Sequence, residues 1–298
     1  MINILLSTYN GAEYIEEQLE SIFSQTYQDF FVYIRDDGSE DETLQIVQRY
    51  VEKMKQQHRV KIFVGKNIGF SQSFAELLRI SNAGEYWAFC DQDDIWLPDK
   101  LLYAIEYISE IDSNKPVLYH GSFYQMDAFG NQIGEYILNP PIYTFRESLT
   151  SSICYGFTIV INSKLREYML KSDYSQIQSH DWYASMIAAA FGEIIFDERI
   201  IAKHRIHGKN DSPNNIYQKI RRGKQLLSGE SFYTKNAREF YRSFYKECDE
   251  KQRKLLERFQ MRRYSILNAC YKAFFPQRWN RNIAVELVLR GLMLIGKI

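Results

Sequence analysis

The chain is poor in the residues that staple small proteins or build fibrous ones. Its four cysteines (Cys90, Cys154, Cys248 and Cys270) lie far apart, with no Cys-x-x-Cys pair. That spacing excludes a zinc ribbon and a secreted disulfide scaffold. Six prolines and fifteen glycines in 298 residues are too few for a collagen-like or proline-rich disordered chain. Long apolar runs are missing as well. The longest, Ile283 to Ile298, is interrupted by Glu286 and Arg290, so a spanning helix is not expected. The opening MINILLSTYNGAEYIEEQ lacks a basic start and reaches acidic residues early. No signal peptide is expected from it, and a cytosolic, reducing location is. Glycine loops for phosphates are also absent: no GxGxxG follows the first apolar run, and no GxxxxGK precedes a Ser or Thr. A dinucleotide dehydrogenase and a P-loop enzyme are thereby disfavoured.

Net charge is zero, from 37 basic and 37 acidic residues, but it is unevenly divided. From Asn214 onward there are 19 Lys and Arg against 7 Asp and Glu; the first 213 residues hold 18 basic and 30 acidic groups. An acidic front half argues against a nucleic-acid reader, whose binding domain is usually basic. The basic tail suits an anionic membrane surface, an anionic partner or the acidic half of its own chain.

What is present is a folded-protein balance of 45% hydrophobic and 25% charged residues, and an alternation of periods. Apolar or β-branched runs at Ile2–Ser7, Phe30–Arg35, Val60–Val64, Tyr86–Cys90 and Val117–Tyr119 predict strands. Helical patterns at Ala12–Gln25, Glu40–Met54, Ser71–Ser81 and Pro98–Ile111 separate them. This β-α-β order predicts a mostly parallel sheet flanked by helices. Asp127–Tyr143 reads as loop, Phe157–Ile161 as strand, Asp181–Phe191 as helix, and Ile194–Phe196 and Ile200–Lys203 as two strands. After Ser212–Asn215 the pattern is helical only. A 1–212 catalytic unit (halves 1–115 and 116–212) and a basic helical region, 213–298, are expected.

Ligands of such sheets bind at the carboxyl ends of the strands, and the polar clusters fall there. Asp91, Asp93 and Asp94 follow the strand Tyr86–Cys90 directly. Three carboxylates in four residues repel one another unless a cation or hydrogen-bond donors offset them. Hard oxygen ligands suit Mg²⁺ or Mn²⁺ shared with substrate phosphates. A second cluster, Asp36-Asp37-Gly38-Ser39, ends another strand. Its carboxylates could cap a turn or accept from a nucleobase imide or ribose hydroxyl.

Ser7-Thr8-Tyr9-Asn10-Gly11, Asp36-Asp37-Gly38-Ser39, Asn67-Ile68-Gly69 and Asp91-Gln92-Asp93-Asp94, in this order, resemble glycosyltransferase family 2, whose catalytic domain has the GT-A fold. The stretch CDQDDIWLPDK (Cys90 to Lys100) is most similar to bacterial rhamnosyltransferase-like members that build surface polysaccharides. The resemblance covers about residues 1–210. It implies a nucleoside-diphosphate sugar donor lined by Thr8, Tyr9, Asn10, Asn67 and Gln92, with Asp36 or Asp37 on the base or ribose. Asp91 would meet the ribose or the metal's surroundings, and Asp93 would bind Mn²⁺ or Mg²⁺. Asp181 would be the catalytic base. In the stretch Arg205 to Asn210, His207 would complete the metal or diphosphate site, with Arg205 and Lys209 available to the diphosphate. The implied reaction inverts the anomeric centre, with dTDP-rhamnose as leading donor and a saccharide or lipid-linked saccharide as acceptor. A UDP-hexose or UDP-N-acetylhexosamine donor, and a nucleotide-sugar-binding protein without turnover, are the rival readings. No nucleic-acid partner is expected, and homo-oligomerisation is left open. Along Ile283–Ile298 the polar row Asn282, Glu286 and Arg290 leaves a wide apolar surface, to be covered by the catalytic unit, a second copy or a bilayer interface.

Overall fold

A computed structural model describes residues 1–81, 84–137, 143–208, 231–261 and 263–298. Pro140, Pro141, Lys209, the expected boundary at 212/213 and the start of the helical pattern at Ile216 lie outside the described residues.

The amino-terminal part alternates as expected: β1 (Ile2–Thr8), α1 (Ile15–Phe23), β2 (Phe30–Asp36), α2 (Thr43–Lys53), β3 (Val60–Val64), α3 (Phe70–Ile80) and β4 (Tyr86–Cys90). These four strands lie in the order β3-β2-β1-β4, all parallel. Strands β1 and β2 are almost continuously apolar because helices cover both faces. Alternate residues go to opposite sides. Leu5, Tyr33 and Phe89 join a core with α3, whereas Ile4, Leu6, Ile34 and Cys90 join one with α1. Cys90 is thus strand packing, as expected, and burial pushes its thiol well above the ordinary range, away from reactivity.

The chain continues through β5 (Ile95–Trp96), α4 (Lys100–Ile108), β6 (Val117–Met126), β7 (Gln132–Tyr136), α5 (Phe145–Ser148), β8 (Val160–Asn162), α6 (Ser163–Met169), α7 (His180–Phe191) and β9 (Glu193–Arg205). They extend the sheet as β4-β8-β6-β9-β5, with β7 beside β6. Here the ladders mix: β6 and β9 are parallel, while β8 runs against β4 and β6, and β5 against β9. The sheet is therefore parallel in its first half and mixed in its second, with helices on both faces, in keeping with the GT-A arrangement.

Three local expectations are corrected. The supposed loop 127–143 contains β7, an exposed hairpin arm that pairs with β6. Its turn is closed by Asp127, whose carboxylate accepts from the N–H groups of Phe129 and Asn131 (both 2.9 Å). The strand expected at Phe157–Ile161 starts as a turn of 3₁₀ helix, Gly156–Thr158, before β8. The two strands expected after Ile194 are one, β9, whose irregular middle is taken up by register shifts against Gly121 and Ser122 of β6.

Among the described residues four further helices follow: α8 (Phe232–Phe244), α9 (Glu250–Phe259), α10 (Ile266–Ala273) and α11 (Ile283–Leu294). They share the core on the α3 side. Phe240 packs on Phe145 at 5.0 Å and on Phe191 at 5.7 Å. The buried Trp279 donates from Nε1 to the carbonyl of Lys272 (2.8 Å), and its own carbonyl accepts from Thr150 Oγ1 (2.7 Å). The helical region is built onto the sheet unit rather than tethered beside it.

Two buried histidines weaken this fold in acid. His120 and His180 have no hydrogen-bond partner on either ring nitrogen, and burial lowers each to a pKa of about 4. The unfolded chain protonates them near pH 6.5. Their folded values lie lower, so stability is full above about 6.5 and falls as the pH drops toward 4. Each contributes about 1.4 kcal/mol per pH unit across that window. Urea unfolding of His120→Leu between pH 4 and 7 is expected to show a shallower acid slope than the wild type. An unchanged slope would contradict the assignment.

Candidate functional site

Strands β1, β2 and β4 end side by side, with Thr8 level with Asp36 in the β1–β2 register. The polar loops that follow form one face. Thr8 Oγ1 donates to Asp36 Oδ2 (3.0 Å), and the same carboxylate accepts from the N–H groups of Gly38 (3.2 Å) and Ser39 (2.9 Å) and from Ser39 Oγ (2.6 Å). Gly38 sits at φ +83°, a conformation that disfavours any side chain. Asp37 binds the Arg35 guanidinium and accepts from Ile68 N (3.0 Å) and Gly69 N (2.9 Å). Both carboxylates are buried and hold loops in place. Asp36 pins the turn after β2, and Asp37 pins the Lys66–Gly69 loop, where Asn67 Oδ1 accepts from Gly69 N (3.1 Å).

The loop after β1 is clamped to the acidic loop. Tyr9 N donates to Gln92 Oε1 (2.8 Å), and Gln92 Nε2 donates to Tyr9 O (3.0 Å). A Cβ on Gly11 would stand 2.2 Å from Gln92 Oε1, so only glycine admits the clamp. Asn10, at φ 48°, accepts from Glu40 N through Oδ1 (2.8 Å) and donates its own N–H to Ser39 Oγ (2.9 Å). Tyr9 is left exposed at the rim.

The acidic loop meets the end of β9. Asp93 Oδ2 lies 2.8 Å from His207 Nε2, and the His207 ring stacks on Tyr14 at 5.1 Å. Asp94 is buried. Its Oδ1 accepts from Arg205 N (3.0 Å) and lies 2.8 Å from His204 Nδ1, whereas Oδ2 has no partner. Burial opposes charge on His204, but the Asp94 carboxylate outweighs it and lifts the imidazole to about 9. Asp91 is raised well above the carboxylate range, first by burial and then by repulsion from Asp94, Asp93 and Asp181. That last influence brings Asp181, at the first turn of α7, to the same site as Asp91. Asp181 Oδ1 accepts from Trp182 N (2.7 Å).

Arg205 goes elsewhere than the sequence suggests. It is buried, and its guanidinium donates to the carbonyls of Asp93 (3.0 Å) and Ala128 (3.0 Å) and to Glu17 Oε2 (2.5 Å) while lying 4.6 Å from the centre of the Tyr14 ring. These contacts make it a brace for the acidic loop.

The sequence of this chain matches the model of the family described as glycosyl transferase family 2 over residues 3–170, more than half of its length. The chain belongs to that family. Among curated relatives, it is 24% identical over 249 residues to the putative teichuronic acid biosynthesis glycosyltransferase TuaG of Bacillus subtilis, covering 80% of this chain and 96% of that one. It is 29% identical over 261 residues to a glycosyltransferase of Methanocaldococcus jannaschii, covering 82% and 83%. Solved structures with the same fold include S. aureus TarS 1–349 in complex with UDP (TM-score 0.57, 16% identity, 99% of this chain and 88% of that one). A second is the mannosyltransferase PcManGT of Pyrobaculum calidifontis with GDP-Man and Mn²⁺ (TM-score 0.57, 17% identity, 99% and 74%). Against a longer TarS chain this protein spans 42% of the length, at a TM-score of 0.53.

For a family 2 chain, the donor set at the Asp93–His207 pair suits a divalent cation: one hard carboxylate oxygen beside one imidazole nitrogen. The unpartnered Asp94 Oδ2 and the upward push on Asp91 mark surplus negative charge that a cation would offset. Among the described residues, no group of three or more His, Cys, Asp or Glu side chains is arranged to hold a metal. Asp93 and His207 would share such an ion with substrate phosphates and water. Tyr14, Glu17, Asp94 and His204 were not singled out by the sequence as site residues. Asp94 lay within the quoted acidic motif; the other three carry no local signal.

Proposed function

We propose that this family 2 glycosyltransferase moves a sugar from a nucleoside-diphosphate donor to a saccharide or lipid-linked saccharide acceptor, with inversion, in surface-polysaccharide synthesis. The observation that carries the reading is the Asp93–His207 pair at 2.8 Å beside Asp91 and Asp181. It supports reading this place as a cation and phosphate locus next to an acceptor base. A Mn²⁺ or Mg²⁺ ion held by Asp93 and His207 would neutralise the diphosphate's charge as it leaves. Asp181 takes the proton of the acceptor hydroxyl. That oxygen attacks the anomeric carbon from the face opposite the departing nucleoside diphosphate, so no sugar–enzyme bond forms. A carboxylate is a weak base, so the proton moves late, as the attacking oxygen acidifies. Thr8, Tyr9, Asn10, Asn67 and Gln92 line the donor's nucleoside end. Asp36 and Asp37 support it through the loops they hold.

By resemblance of Cys90–Lys100, dTDP-rhamnose is the leading donor. A UDP-N-acetylhexosamine is the second reading, favoured by the TarS structure in complex with UDP-GlcNAc (TM-score 0.53, 19% identity). Calorimetric titration of dTDP and UDP, each with and without Mn²⁺, tests both. One nucleotide is expected to bind in a Mn²⁺-dependent manner, and Asp93→Ala is expected to weaken that binding by about 10–100-fold. Failure of both nucleotides to bind a folded wild type would overturn the donor site.

A further inference from the structure

Helices α10 and α11 bury Ala269, Ala273, Leu289 and Met293 in the core, yet carry polar groups inward and further apolar side chains outward. On α11 the charged pair faces inward. Glu286 is 5% exposed and accepts from the N–H groups of Trp279 (3.0 Å) and Asn280 (2.8 Å) and from Arg290 Nε (2.6 Å). Arg290 also donates to the carbonyl of Ala273 (2.6 Å), which ties α11 to α10. The outward positions are aliphatic: Ile283, Leu287 (67% exposed) and Val288 (62%). Helix α10 repeats the pattern. Asn268 and Lys272 are buried, whereas Ile266, Leu267 (78%) and, just past its end, Phe274 (72%) are exposed. A helix facing water shows the opposite arrangement. Satisfying Glu286 and Arg290 inside, with full hydrogen bonding, leaves the aliphatic faces of two packed helices on the outside, where a contiguous apolar patch marks an interaction surface.

We propose that the α10–α11 hairpin docks on an anionic lipid bilayer, lying in its interface. The charge around the patch selects this occupant. From Met261 to Ile298 the chain has seven basic residues and one acidic residue, Glu286; with the buried Lys272, the Arg290–Glu286 pair and Arg281, which pairs with Glu147, set aside, four basic residues and no acidic one remain. Arg258, Arg263 and Arg278, close to the patch residues in sequence, are exposed, and Arg258 stacks on the exposed ring of Tyr271. Exposed aliphatics rimmed by cations match the acyl boundary and headgroups of anionic lipid. A symmetric contact with a second copy would set the same basic rim against itself. The hairpin does not cross the bilayer: among the described residues no helix is long and apolar enough, and the twelve residues of α11 span roughly 18 Å against a hydrocarbon core of about 30 Å. The docking is independent of which donor the catalytic site takes.

Flotation of the full chain with vesicles of phosphatidylglycerol and phosphatidylcholine, against phosphatidylcholine alone, tests it. Binding is expected to the anionic vesicles, weakening as salt rises. The Leu267→Ser, Leu287→Ser double variant is expected to bind at least about tenfold more weakly. Both side chains are exposed, so its circular dichroism and melting temperature should match the wild type. Absence of wild-type binding, or equal binding by the double variant, would overturn the proposal. So would a concentration-dependent dimer that the same variant abolishes without any vesicle binding, since a second copy would then be the occupant.

Discussion

Asp181→Asn is expected to lower the transfer rate by about 10²–10⁴-fold while leaving nucleotide binding near the wild-type level. The substitution keeps the shape of the side chain and its ability to accept from Trp182 N, a bond that the carboxylate makes at 2.7 Å. The first turn of α7 should therefore survive. What disappears is the capacity to take a proton. On the proposed reading, donor affinity rests on other groups: the Asp93–His207 pair and the β1 loop held by Gln92. Single-turnover transfer and nucleotide calorimetry on the same preparation separate the two effects. A protein that binds nucleotide sugars without turnover would show no change in either measurement. A variant that transfers at the wild-type rate would remove Asp181 from the chemistry. The neighbouring His180 cannot substitute as base: it is buried against Phe74 at 4.0 Å and Phe89 at 4.7 Å.

The first half of the fold was legible because its signals are local. Strands β1, β2 and β4 are short apolar runs stopped by polar turns, and the sheet ladders simply add them in parallel. The second half was read less well because its structure depends on distant pairings. Strand β7 carries exposed Ile133 beside Gly134, with exposed Ile137 just past its end, a composition that reads as loop until β6 is seen to pair with it. Strand β9 looked like two strands because its middle, Asp197–Arg199, is polar. Its continuity comes from β6, 76 residues earlier at the Val117–Glu193 pair.

The site divides in the same way. Asp91, Gln92 and Asp93 were visible as a run after a strand. The resemblance expected His207 at the metal or diphosphate site, and in the structure it lies 2.8 Å from Asp93. His204 was not visible, because a histidine in an alternating strand carries no sign of the buried carboxylate it meets. Asp36 and Asp37 fell in the expected place, but their partners, Thr8, Ser39, Ile68 and Gly69, could be known only from the folded loops. The polar row of α11 was legible too; that it faces inward was not, because that orientation is set by Trp279 and Ala273.

Removing Arg205 is expected to damage stability before it damages binding. The sequence offered this arginine to the diphosphate, yet it is buried with its guanidinium divided among Glu17, Asp93 O and Ala128 O. Arg205→Ala would strand two part-buried carbonyls and release the turn that carries Asp93. Charge-assisted hydrogen bonds of this kind contribute about 1.5–3 kcal/mol each before compensation. A net loss of about 3 kcal/mol is expected, which lowers the melting temperature by roughly 6–12 °C in a chain of this size. Arg205→Lys should recover little, because one ammonium cannot reach three acceptors with the geometry of a planar fork. Thermal unfolding without nucleotide, paired with Mn²⁺-dependent nucleotide titration at a temperature where each variant is folded, tells the two roles apart. A diphosphate ligand would leave the apo melting temperature unchanged and weaken nucleotide binding directly. A brace shifts the apo melting temperature first, and any binding loss follows from a slack acidic loop. An unshifted apo melting temperature in Arg205→Ala would return the residue to the phosphate site.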